Sequence, residues 1–181
     1  SAMKSIRSNG AMIKKVYVPK YIYPFSGILA NFIIFLISLI VLVGVMIFFV
    51  ANGSYHAPMN GYMVLSIVPL VNLFILAMGV GMLLATLCVF FRDIEYLWSV
   101  MLMMIMYCSA IFYFVDNMSK STQLIVKANP LFGIINNFRR ALFGQPLDMT
   151  LLTYTSVISV AALLVGMFVF YKKQDAFILN I

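Results

Sequence analysis

The chain has 181 residues, 64% of them hydrophobic and 9% charged, where an ordinary soluble domain carries about 25% charged residues; its mean hydropathy is +1.06. So few charges leave most of the exterior facing lipid or another apolar subunit, which excludes a cytosolic enzyme, a disordered region and a free nucleic-acid-binding domain. The net charge of +7 does not restore a nucleic-acid partner, because the basic residues sit between apolar runs, where positive charge sets membrane orientation.

In chain order, the segment from Ser5 to Tyr17 places Ile6, Gly10, Ile13 and Tyr17 on one helical face, with Arg7, Lys14 and Lys15 elsewhere. This is the pattern of a short basic amphipathic helix at a membrane surface, either a lipid-binding flank or a docking surface for a cytoplasmic partner. Pro19 and Pro24 interrupt the chain after it, and Tyr21 and Tyr23 suit the headgroup level.

Four apolar stretches are long enough to cross a bilayer, which takes ~20 residues: residues 25–51, about 69–91, 96–115 and about 151–171. The second carries Ala77, Gly81 and Ala85 at four-residue spacing, which predicts one small-residue face for close helix packing. Pro69 marks its first turn or a kink. The third is rich in methionine and aromatics (Trp98, Met101, Met103, Met104, Met106, Tyr107, Phe112, Tyr113 and Phe114), read as adaptable packing with an interfacial aromatic belt rather than a ligand stripe. Cys88 and Cys108 both lie inside apolar runs and are read as packing residues.

With four crossings, Lys4, Arg7, Lys14, Lys15, Lys20, Arg92, Lys172 and Lys173 fall on one side, and Lys120, Lys127, Arg139 and Arg140 on the other. The positive-inside rule then puts both termini in the cytoplasm and residues 52–61 and 116–148 outside. Within the second outer segment, Asn129-Pro130 reads as an N-cap followed by proline at the first helical position, and Gly144 with Pro146 as a stop. Leu131, Ile134, Ile135, Phe138 and Leu142 recur at helical spacing, opposite Gly133, Asn137 and Arg140. Such a helix covers only about 21 Å, short of the ~30 Å hydrocarbon core. With the weaker helix at 122–128 it forms a re-entrant or interfacial hairpin. Arg139 and Arg140 then sit at the mouth of a wet cavity or contact lipid phosphates.

Membrane-embedded catalysis needs a positioned acid or base, often with a metal. His56 is the one histidine and has no carboxylate near it in sequence, while Asp93 and Glu95 follow Arg92 at a span end, where ion pairing and snorkelling explain them. No GxxxxGK[ST] phosphate loop occurs, so ATP hydrolysis by a P-loop in this chain is excluded.

The order of elements resembles a known family. The stretch from Ser5 to Pro24 is similar to the cytoplasmic segment before the third helix of type-two ABC exporter permeases, and Val89-Phe-Phe-Arg-Asp-Ile94 to their second cytoplasmic turn. Ser109-Ala-Ile-Phe-Tyr113 resembles an outer-end motif that usually has proline where Ala110 stands. Ala128-Asn-Pro-Leu-Phe-Gly-Ile-Ile-Asn-Asn-Phe-Arg139 resembles the re-entrant hairpin of the polysaccharide-exporting branch, and Tyr171-Lys-Lys-Gln-Asp-Ala-Phe-Ile178 its ending. Such permeases have six spans, and this sequence looks like the last four, without the first two.

The resemblance implies an all-α polytopic membrane protein that is a transport subunit rather than an enzyme. It implies a homodimer in the bacterial cytoplasmic membrane, working with a separate ATP-binding subunit that holds the ATP and magnesium. The cargo it implies is a lipid-linked glycan such as O-antigen, teichoic acid or a capsule-like polymer. By position, Asn9, Met12, Ile13, Lys14 and Lys15 would belong to the coupling helix, and Arg92, Asp93 and Glu95 to a second ATPase contact. Residues 122–143, with Asn129, Pro130, Phe138, Arg139 and Arg140, would form the outer gate, and Tyr107, Phe112 and Tyr113 would line the cargo path. The alternatives are a drug or small-lipid exporter of the same superfamily and, in other classes, a membrane-bound glycolipid enzyme or a non-catalytic membrane scaffold.

Overall fold

A computed structural model describes residues 19–52, 61–91, 93–111, 113 and 119–177, and the described residues are helical apart from turns and short connections. The elements are α1 (Ile22–Ala51), a 3-10 turn (Gly61–Ser66), α2 (Ile67–Phe90), α3 (Ile94–Cys108), α4 (Lys120–Ala128), α5 (Pro130–Leu142), α6 (Met149–Lys173) and a closing 3-10 turn (Gln174–Ala176). The chain is a polytopic helical membrane protein. Among the described residues three helices are long and apolar enough to cross a bilayer: α1, α2 with the turn leading into it, and α6.

The stretch expected as a span at 96–115 is shorter. Helix α3 has 15 residues, about 22 Å, and ends where Ala110 takes a positive φ of 49°, a conformation that no continuing helix of L-residues adopts. Pro69 is buried in the first turn of α2, where a missing N–H breaks no intrahelical bond.

The centre of the fold is the crossing of α2 on α6, the most extensive pairing of elements. A Cβ added to Gly79 would overlap the Ala162 carbonyl group and the Leu163 nitrogen, and one added to Gly166 would overlap the Gly79 carbonyl oxygen. Lipid is as apolar as leucine, so helices in it associate through close packing and hydrogen bonds rather than hydrophobic burial; two facing glycines supply the first. The second comes from Asn72, whose amide donates to Ser156 Oγ at 2.8 Å across the same pair. The small-residue face expected at Ala77, Gly81 and Ala85 is only partly used. Ala85 is fully buried, Gly81 half-buried and Ala77 exposed, because the line of contact runs through Gly79 instead.

The start of α1 and the ends of α2 and α6 meet at one end of the molecule. Tyr23, Ala85, Val89, Phe170 and Phe177 form a buried cluster there, with Phe90 against it, and Phe177 packs edge-on to Phe170 and Phe90 at centroid distances of 5.3 and 6.0 Å. Lys20 Nζ donates to the Gln174 carbonyl at 2.8 Å. The hairpin of α4 and α5 lies at the other end, where α5 packs on α6, α2 and the 3-10 turn at 61–66.

Candidate outer gate

The hairpin turn forms as its sequence dictates. Asn129 caps α5, its Oδ1 accepting from the Leu131 N–H at 3.0 Å, and Pro130 occupies the first helical position. At the far end Gly144 takes a φ of 67°, the left-handed conformation that stops a helix. Asp148 then caps α6, accepting from the N–H groups of Thr150 and Leu151 at 3.1 and 3.2 Å.

Helix α5 is rotated partway from the direction expected from its hydrophobic pattern: of the expected apolar face only Ile134 is buried. Gly133, Asn137 and Ala141, spaced by four, are buried, with Phe132 and Ile134 beside them, whereas Leu131, Ile135, Phe138 and Leu142 are only half-buried. Small size decides this: a Cβ on Gly133 would stand 2.5 Å from Thr155 Cγ2 of α6. Asn137, fully buried, is satisfied by one backbone unit, accepting from the Asp148 N–H at 2.8 Å and donating to the Asp148 carbonyl at 3.4 Å. The buried polar group is paired, as burial in an apolar medium requires.

The two arginines are turned onto the chain's own backbone. Arg139 donates to the Ala110 carbonyl at 3.3 Å and to the Ile111 carbonyl. Arg140 donates from Nε to the Pro146 carbonyl at 2.9 Å and lies 4.0 Å from Asp148 Oδ2. Both guanidinium groups thus have partners within the chain, because the breaks at Ala110 and Gly144 expose carbonyls that need donors.

These bonds join the hairpin to the break in α3. Asn129 Nδ2 donates to Ser109 Oγ at 3.1 Å, and Ser109 Oγ donates to the Ile105 carbonyl at 2.6 Å. Tyr154 of α6 donates to the Ala128 carbonyl at 2.8 Å. Beneath the turn is an apolar cavity of about 340 Å³ bounded by α2 (Leu73, Leu76, Ala77, Val80), α3 (Trp98, Leu102, Ile105) and the turn itself (Asn129, Pro130, Leu131).

Of the aromatics expected along a cargo path, Tyr107 is exposed. Tyr113 is half-buried against the cluster of Ala110, Val126 and Phe132, and its hydroxyl donates to the Tyr107 carbonyl at 2.8 Å. Neither bounds the cavity, whose aromatic wall among the described residues is Trp98. No residue of α3 is buried, so its methionines (Met101, Met103, Met104 and Met106) face outward from the chain. Asp93 is exposed and Glu95 half-buried at the end shared by α1 and α6. Asn9, Met12, Ile13, Lys14, Lys15, Arg92 and Phe112 lie outside the described residues, as does the whole amphipathic segment at 5–17.

The sequence reading missed Gly79, Gly166, Asp148 and Tyr154. Asp148 had a usable signal, an N-cap residue just before an apolar run. The others are single small or polar residues whose partners are distant in sequence.

The family model for the ABC-2 type transporter matches residues 1–143. This chain belongs to that family. It is also similar to two sequences of the O-antigen export system permease protein RfbA from Klebsiella pneumoniae, at 24% and 25% identity over 177 residues. Each alignment takes in 98% of this chain and 66% of the relative, so this ABC-2 chain spans just under two thirds of the length of the relatives it matches.

Proposed function

We propose that this ABC-2 chain supplies the membrane-spanning pathway of an exporter for a lipid-linked polysaccharide, powered by a separate ATP-binding subunit. The observation that carries the reading is the hairpin docked across the outer ends of α2 and α6. It is too short to span, lies over an apolar cavity, and is fastened by side-chain bonds to α3 and α6. That is the construction of a gate, since non-spanning helices persist at membrane depth only where protein or a cavity receives them. The similarity to O-antigen export permeases supports a glycan cargo.

In this reading both termini lie in the cytoplasm and the hairpin faces outward, which agrees with Lys20, Lys172 and Lys173 sharing one end of the helix bundle. Asn9 to Lys15, with Arg92, Asp93 and Glu95, would meet the ATPase. That partner would hold ATP and magnesium, and a second copy of the permease would complete the pathway. Removal of the permease gene from its bacterium tests the reading. Surface glycan is expected to fall while the lipid-linked precursor accumulates on the cytoplasmic side. Undiminished surface glycan would overturn it, and loss of drug efflux alone would point to the small-molecule branch.

A further inference from the structure

A second cleft, of about 220 Å³, lies at the opposite end from the hairpin, between the start of α1 and the end of α6. Its walls are Tyr21, Met82, Met167, Phe170, Tyr171 and Gln174, so it is apolar and aromatic except for one amide. The hydrogen bond from Lys20 Nζ to the Gln174 carbonyl holds an ammonium group at its mouth. Lys172 follows Tyr171 in the chain and Lys173 precedes Gln174, which adds two exposed lysines at the same level.

We propose that this cleft seats an acyl chain of an anionic diacyl phospholipid, with its headgroup phosphate drawn to the exposed Lys172 and Lys173. Charge complementarity selects this occupant. A zwitterionic lipid fills the apolar walls equally well but gains little from the two ammonium groups, whereas each lysine near an anionic headgroup favours binding about fivefold. Tyr21 and Tyr171, both mostly exposed, stand beside the lysines as amphipathic rings do at headgroup level. A soluble phosphate would gain nothing from Met82, Met167 and Phe170. The inference concerns lipid retention and is independent of the export reading.

The test exchanges the detergent-purified protein into equal amounts of phosphatidylglycerol and phosphatidylcholine and counts retained lipids by native mass spectrometry. The parent is expected to retain phosphatidylglycerol preferentially. Lys172→Gln/Lys173→Gln should lower the ratio of the two lipids about 25-fold without abolishing retention. Met167→Trp, which fills the cleft from a position 43% exposed and leaves every charge in place, should reduce retention of both lipids. Equal retention of the two lipids by the parent would overturn the proposal. So would an unchanged ratio in the lysine variant, or parental retention in the monodisperse tryptophan variant.

Discussion

Arg139 donates to the carbonyl of Ala110, 29 positions earlier in the chain, at 3.3 Å, and so ties the second arm of the hairpin to the break in α3. Ala110 is 1% exposed with φ at 49°, a conformation that costs an L-residue about 1–2 kcal/mol. Arg139→Gln should lower stability in detergent by about 1–3 kcal/mol, because the carbonyl of buried Ala110 loses its donor; Arg139→Lys, a point charge without the planar fork, should recover only part. Ala110→Gly should raise stability by up to about 1 kcal/mol after glycine's entropic cost. Ala110→Pro, locked near −65°, should unfold the region. Thermal unfolding of the four variants reads this order, and a stabilised proline variant would contradict the backbone assignment.

The crossing of α2 on α6 makes a contrasting prediction for glycines. Gly44 of α1 has open space where its Cβ would go, while Gly79 faces the backbone of α6. Gly44→Ala should therefore be neutral or stabilising by roughly 0.5–1 kcal/mol. Gly79→Ala should cost about 1–3 kcal/mol or more, because the overlapping atoms are backbone and cannot rotate away. Equal melting temperatures for the two variants would argue against the close crossing.

Asn137 tests the orientation of α5. Asn137→Ala leaves the Asp148 N–H without its acceptor and should cost about 1–3 kcal/mol. Arg140→Gln, at a side chain 34% exposed and 4.0 Å from Asp148, should cost no more than about 1 kcal/mol. A helix oriented by its apolar stripe instead would reverse that order in chemical or thermal denaturation.

Topology is checked by labelling. In a background of Cys88→Ala and Cys108→Ala, Lys120→Cys at the exposed start of α4 should react with a membrane-impermeant maleimide added from outside. Labelling only after the cytoplasmic face is opened would invert the orientation.

The sequence alone determined that the chain is a helical membrane protein, where the hairpin turns and where its second helix stops. Each rests on local physics: mean hydropathy, the Asn129-Pro130 cap and the left-handed Gly144 need no distant partner. The resemblance of residues 128–139 to a permease hairpin likewise pointed to the ABC-2 family that the family model identifies. The face that α5 buries was not legible, because an apolar stripe chooses a side only when the alternative is water. In a membrane Leu131, Ile135, Phe138 and Leu142 gain little from turning inward, so small volume at Gly133 and Ala141 and the satisfaction of Asn137 decide instead. The same competition placed Gly79 and Gly166 at the helix crossing in preference to Ala77 and Gly81, and gave Arg139 its partners in the carbonyls that follow α3. These outcomes depend on which backbone groups are left open after the helices meet, and only the tertiary structure decides that.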